Sequence, residues 1–361
     1  MLKNSRGCRS APSWARGIGK SLGCVAALAL TLGLSAWAGA GPVGAQEAAG
    51  KLALVGGMLL DGYEAPPIHH AAILIEGDRI VAVGPASEIE VPADATVIDT
   101  SGMTMLPGLI DLHVHLMIMG HGEYTDWFPI FTGRMEELMA ISAKQLLLAG
   151  VTTAVDLGAP LEILDVRDRI DTDEIPGPRM IVSGPWIARR PWAALPDYFQ
   201  YGISSPEEAA QKTQELIEAG VDVIKTWAGM TEDDIRAVVE VAHRRGVQVH
   251  SHLYEPEAIW GAIRGGTDVI QHAGSGGNPP YSDELIAEIA HRVRNSKIAA
   301  RQFIEANVVL GMGTDSGSPT NFHTESAWRE ISALVVNGNP LFDINVLGYV
   351  ERVIKGGIVY K

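Results

Sequence analysis

Seven apolar, strand-like runs recur along the chain: PGLIDLHVHL (107–116), GVTTAVDLG (150–158), RMIVSG (179–184), VDVIKTWAG (221–229), VQVHSHL (247–253), TDVIQHAG (267–274) and NVVLGMGTDSG (307–317). Strands this continuously apolar are covered on both faces, and when helices alternate with them the sheet is parallel. Helices are predicted over Pro206–Ala219 and Thr231–Arg245, the second opened by Thr231 with Asp233 and Asp234 and stopped at Gly246. From Lys51 to Ile98 the pattern is instead one of short strands, with Gly77-Asp78 between apolar arms as a hairpin signal. Gly356-Gly357 repeats that signal near the other end. The expected architecture is α/β: a (β/α)8 TIM-type barrel over 106–332, and a small β-sandwich domain built from both chain ends, 46–105 and 333–361.

Residues 1–45 read as a signal peptide. Lys3, Arg6, Arg9, Arg16 and Lys20 form a basic region without acids, an apolar run follows from Leu22 to Ala38, and small-residue cleavage patterns occur at Ala36-Trp37-Ala38 and Val43-Gly44-Ala45. The alternative, a membrane anchor, needs a span of ~20 apolar residues and a basic flank after it. The expectation is export to the periplasm or beyond, with no stable membrane insertion once the segment is removed. Cys8 and Cys24, the two cysteines of the chain, leave with it, which excludes a disulfide scaffold or a cysteine-ligated metal in the remainder. With 43 acidic against 28 basic residues and a net charge of −15, the chain is a poor match for nucleic acid, whose phosphates require clustered Lys and Arg.

The polar residues of interest close the strand-like runs. His113 and His115 end the first, Lys225 the fourth, His250 and His252 the fifth, His272 the sixth, and Asp315 the last. In a (β/α)8 barrel those ends converge on one mouth. His113 and His115 are spaced i, i+2, so on a strand both imidazoles point to one side and form a pincer for a metal ion; a solvated pair at a strand end is the bland alternative. Lys225 is costly to bury as an ammonium and cannot ligate a metal in that form. Carboxylation would turn it into a carbamate, an anionic bridge shared by two divalent ions, whereas an ordinary ion pair with Asp156 or Asp222 is the competing reading. Asp315, in Gly-Thr-Asp-Ser-Gly, is a candidate metal ligand and general base.

PGLIDLHVHL, VDVIKTWAG, VQVHSHL, VIQHAG and GMGTDSG together resemble the amidohydrolase superfamily, and in particular its carbamate-bridged binuclear branch of imidazolonepropionase-like proteins and Xaa-Pro-type dipeptidases. The resemblance covers nearly all of residues 51–361. It implies metal ligation by His113, His115, His250 and His272, a carbamate at Lys225 bridging two divalent ions, expected to be zinc, and Asp315 as ligand and catalytic base. His252 shares a face with His250 and stands open as ligand or substrate contact; His121, in Gly-His-Gly-Glu, is a further candidate substrate contact. The implied activity is hydrolysis of C–N bonds in a small molecule such as a dipeptide, an N-acyl amino acid or a cyclic amide. A mononuclear deaminase or cyclic amidohydrolase with Lys225 as spectator is the related alternative, and a truncated non-catalytic homologue the alternative from another class. That last reading arises because only 32 residues (275–306) separate the sixth strand from GMGTDSG, so one βα unit is expected to be missing or improvised. A homo-oligomer is compatible with the sequence but not specified by it.

Overall fold

The computed structural model describes residues 50–61, 65–118, 124–272, 280–292, 335–337 and 350–361. The first six strands are β1 (Lys51–Val55), β2 (Met58–Leu59), β3 (Ala71–Glu76), β4 (Arg79–Pro85), β5 (Thr96–Asp99) and β6 (Met103–Met105). Leu52, Ala53 and Leu54 are all buried, as befits a strand with neighbours on both sides: β1 pairs antiparallel with β3 and parallel with β5. β3 and β4 are joined through the expected Gly77-Asp78 turn, Gly77 taking φ +59°. The last strands are β15 (Val335–Asn337), β16 (Val350–Arg352), β17 (Ile354–Lys355) and β18 (Ile358–Val359), the final two closed by Gly356 and Gly357 at φ 56° and 77°. β15 pairs antiparallel with β6, so both chain ends enter one four-stranded sheet, ordered β16-β15-β6-β2. Leu52, Leu54, Ile73 and Ile75 of the other sheet pack with Leu59 and Met105 of this one.

Between them lie β7 (Leu109–Val114), α1 (Tyr124–Phe131), α2 (Met135–Leu148), β8 (Val151–Asp156), α3 (Ile163–Asp171), β9 (Arg179–Val182), β10 (Trp186–Ala188), β11 (Gln200–Gly202), α4 (Pro206–Ala219), β12 (Val223–Thr226), α5 (Glu232–His243), β13 (Gln248–His252), α6 (Pro256–Gly265), β14 (Val269–Gln271) and α7 (Asp283–Arg292). All of their strand pairings are parallel. Two runs result, β7-β8-β9 and β11-β10-β12-β13-β14. The third predicted run, 179–184, forms β9, which pairs with β8; the chain then turns through Gly184 and Pro185 into β10, a strand the sequence reading did not include, which pairs with β12. Proline cannot donate to a ladder, which accounts for the break. No closed barrel forms among the described residues. The segment expected to carry the seventh strand is occupied by α7 over 283–292, and its remainder, with GMGTDSG and residues 1–45, lies outside the described residues. No helix among the described residues is long and apolar enough to cross a membrane.

Two aspartates set the register of the inner strands. α4 and α6 end on Gly220 and Gly266, at φ 102° and 95°, a left-handed cap for which glycine is suited. Asp222 and Asp268 follow two residues later. The Asp222 N–H donates to the Val182 carbonyl at 2.9 Å, and its carboxylate accepts from the Val182 N–H at 2.9 Å and from Arg167 at 3.1 Å. Asp268 repeats this on Val249, at 3.0 and 2.8 Å, with His243 Nε2 at 2.9 Å. Each aspartate thus grips the preceding parallel strand and fixes the residues after it, Val-Ile-Lys in one case and Val-Ile-Gln in the other.

α5 starts where the sequence places it. Thr231 accepts from the Asp234 N–H, and Asp234 accepts from the Thr231 N–H at 2.9 Å, a reciprocal capping box. Asp234 is fully buried and also receives both arms of Arg189 at 2.8 and 2.6 Å, tying α5 to the end of β10. Burial raises the Asp234 pKa, but the bonds from Arg189 and Thr231 outweigh it and leave the carboxyl below its ordinary value. Thr231→Ala is expected to cost about 1 kcal/mol. Asp234→Ala, which also removes the partner of Arg189, should cost more than Thr231→Ala; urea titration reads both. Because the folded pKa is depressed, the Asp234 contribution is present above the ordinary carboxylate value of ~3.9 and fades as pH falls through the folded value. The gap between wild type and Asp234→Ala should narrow accordingly.

Candidate metal centre

Period-two alternation turns the relevant side chains of β7, β12, β13 and β14 inward. His113 is fully buried and Lys225 is 1% exposed. Lys225 stands in register with His250 across the β12–β13 ladder, and His252 with Gln271 across β13–β14. The ring centroids of His113 and His115 lie 5.1 Å apart, those of His113 and His272 4.7 Å, and those of His252 and His272 4.3 Å. His272 reaches this position by adopting φ 65°, a left-handed conformation that costs a non-glycine residue ~1–2 kcal/mol and returns its ring over the strand end. Residues scattered from 113 to 272 therefore form one cluster. Asp315 and His121, the remaining candidates from the sequence, lie outside the described residues.

Hydrogen bonds fix several of these rings. His115 Nδ1 is 3.3 Å from the Gly158 carbonyl, and His113 Nδ1 is 2.9 Å from Gln271 Oε1. The Gly158 carbonyl only accepts, so His115 donates its Nδ1–H and carries the lone pair on Nε2; the amide oxygen of Gln271, turned towards His113, asks the same of that ring. That is the arrangement in which outer-shell acceptors orient metal-binding histidines. His250 Nδ1 faces the Gln271 amide nitrogen at 3.2 Å, while its buried Nε2 makes no hydrogen bond. Burial, reinforced by the charge of Lys225, lowers the His250 pKa to about 3, and burial with Lys225 and His115 lowers that of His252 as well. Neutral imidazoles are the form that binds metal. The donor chemistry thus suits a borderline cation such as zinc. Among the described residues, no three His, Cys, Asp or Glu side chains close on a common point as a formed metal centre does.

The two carboxylates considered as ion-pair partners for Lys225 both hold backbone groups, and Asp156 also feels the lysine's charge. Asp222 is held by Arg167 and Val182. Asp156, fully buried at the end of β8, accepts from the backbone N–H of Leu116 at 2.7 Å and of Gly158 at 3.0 Å, shaping the turns after β7 and β8. Burial raises its pKa to about 6, against the opposing influence of His115, those two N–H groups and Lys225.

Trp186, Trp227 and Gln271 belong to the site without having been singled out from sequence. Trp186 packs edge-on against His115 at 5.7 Å and stacks on Trp227 at 4.9 Å; Trp227 in turn meets His252 at 5.6 Å, and His252 meets Tyr254 at 4.9 Å. An aromatic wall therefore flanks the histidines. The Trp186 indole N–H donates to the Leu157 carbonyl, and its ring occupies the space that a side chain on residue 158 would need. Gly158→Ala should displace the indole, disturb the His115 contact, and cost ~1–3 kcal/mol as an overpacked site. Near-ultraviolet circular dichroism and urea unfolding would read the two effects.

A family model described as the amidohydrolase family matches residues 104–344, and one described as the imidazolonepropionase-like composite domain of bacteria matches residues 71–90. The chain is 25% identical over 205 residues to the enamidase of Eubacterium barkeri, a match covering 55% of this chain and 48% of that one. It is 25% identical over 298 residues to the ochratoxinase of Aspergillus niger, covering 69% and 58%. The chain spans about half the length of the curated relatives it matches. A crystal structure of a Xaa-Pro dipeptidase with methionine bound in its active site superposes with a TM-score of 0.71 at 20% identity, over 86% of this chain and 100% of that one. At such identity the likeness is one of fold, a TIM-barrel-like α/β architecture. The amidohydrolase match extends over most of the chain, and it contains every histidine of the cluster together with Lys225: the protein belongs to the amidohydrolase family.

Proposed function

We propose that this chain is a metal-dependent hydrolase of C–N bonds in small molecules, with dipeptides, N-acyl amino acids and cyclic amides as the substrate classes. The observation that supports it is the burial of His113, His115, Lys225, His250 and His272 at the strand ends, with Lys225 in register with His250 and the rings of His113 and His272 in contact. Two divalent ions, zinc by the character of the donors, would supply Lewis acidity towards the carbonyl and lower the pKa of water towards ~7. His113 and His115 offer Nε2 lone pairs on one side, and His250 and His272 serve the other.

Lys225 is the residue on which the binuclear form depends. Its stem lies in an apolar strand, in register with His250, and carbamate formation requires the neutral amine. That neutral amine forms an N–C bond to carbon dioxide and releases a proton, leaving a carbamate whose two oxygens can be shared by two cations. Asp315 is proposed to take the proton of the attacking water and return it to the leaving nitrogen. His252, against Trp227 and Tyr254, is a substrate contact in this reading, and His121 a second. Completion of the TIM-like architecture as a full barrel, the sandwich form of the terminal sheets and export by residues 1–45 belong to the same proposal.

Lys225→Ala should retain its fold but lose the second metal and most activity, and added propionate or another short carboxylic acid should restore part of both. Asp315→Asn should keep metal and lose ~10²–10⁴-fold in turnover, the contribution of a general acid–base group. A wild type that is fully active with one metal and an unmodified Lys225 would refute the binuclear reading and support the mononuclear one.

A further inference from the structure

Gln271 occupies a position that the local sequence repeats. Gly-Val-Asp-Val-Ile-Lys (220–225) and Gly-Thr-Asp-Val-Ile-Gln (266–271) share the left-handed glycine cap and the clamping aspartate. The repeat sets Gln271 three residues after its clamp, as Lys225 is after its own. Ile270 turns outward into the cluster with Ile259, Ile263 and Leu285, so Gln271, 3% exposed, turns inward. Its amide there bridges two imidazoles, with Oε1 at 2.9 Å from His113 Nδ1 and Nε2 at 3.2 Å from His250 Nδ1.

A primary amide has one accepting end and one donating end. The ring at its oxygen must carry Nδ1–H, and the ring at its nitrogen must present a bare Nδ1. Rotating the amide by half a turn would exchange the two rings but keep the opposition. We infer that Gln271 is a positioning residue that holds His113 and His250 in opposite tautomers and thereby orders metal loading. His113 has its lone pair on Nε2 and matches His115, whose Nδ1–H is taken by Gly158. His250 keeps its proton on Nε2 and directs its lone pair at the amide. It joins a metal only after the amide releases Nδ1, or after the proton moves from Nε2 to Nδ1. With the amide oxygen towards His113, the His113–His115 pair takes the first cation and His250 completes the second site. The loading order rests on the metal-dependent function proposed above; the tautomers do not.

The test uses the full chain, free of metal, with 15N-labelled histidine, and long-range 1H–15N spectra assigned by single substitutions. The expected result is Nδ1–H on His113 and Nε2–H on His250. In Gln271→Glu both ends accept, and both rings should become Nδ1–H. In Gln271→Met neither ring is held, and each should relax to a mixture, while backbone amide spectra report whether the fold is kept. Like tautomers in the two wild-type rings, or tautomers unmoved in Gln271→Met, would overturn the inference. Calorimetric titration with zinc alone should show two unequal steps in wild type, and Gln271→Glu should narrow the difference by ~10-fold or more, the scale of outer-shell changes. Equal steps in wild type would overturn the ordering. Opposite tautomers in a protein that takes up no zinc would uphold the clamp and refute the metal-dependent function, so the two failures are distinguishable.

Discussion

The grip of Asp222 on Val182 and of Asp268 on Val249 is the constraint from which the site follows. Parallel strands lack a tight turn to set their register, and a slip of one residue would send every inward side chain outward. Here each aspartate makes a two-point contact with its neighbour strand, one through its backbone N–H and one through its carboxylate. The residues that follow are thereby fixed: Val-Ile-Lys places Lys225 beside His250, and Val-Ile-Gln places Gln271 beside His252. The helices before these strands end on glycine caps, so the clamp begins as soon as the helix stops.

The cost of this arrangement is concentrated at the strand ends. A lysine, four imidazoles and a carboxylate are drawn out of water within a few residues of one another, and burial shifts the carboxylate and imidazole equilibria towards their neutral forms. Backbone and amide groups compensate at chosen atoms: Gly158 and Gln271 hold His115 and His113, and Leu116 and Gly158 hold Asp156. The aromatic wall of Trp186 and Trp227 covers one flank. Apolar residues would pack such a core at lower cost; the metal-dependent function proposed above would account for the buried, orientated donors.

Much of this was legible before any coordinates. The period-two spacing of His113 and His115 and the recurrence of polar residues at apolar strand ends located the cluster, and Thr231 with Asp234 announced α5 at the position where it begins. Gln271 carries no motif of its own beside His272; yet Ile270 is apolar and outward, and the repeat of Gly-x-Asp-Val-Ile turns Gln271 to the same inner face as Lys225. The positive φ of His272 is invisible to pattern alone, since nothing but the fold demands it. The extra strand β10 begins just past Pro185, beyond the predicted run, and Trp186 had a signal in Gly158, but a close approach between residues 28 apart is a property of packing rather than of spacing. Asp315 rests on sequence, as it lies outside the described residues.

The claim at the centre of this account is that the strand ends hold two divalent ions joined through Lys225. Crystals of the zinc-loaded chain, measured across the zinc absorption edge, test it most directly. The account predicts two anomalous peaks, one at the ~2.0–2.1 Å of zinc–nitrogen bonds from His113 and His115 and one at that distance from His250 and His272, with density for a carboxylated Lys225 reaching both. A single peak without contact to Lys225, or peaks away from the strand ends, would contradict it.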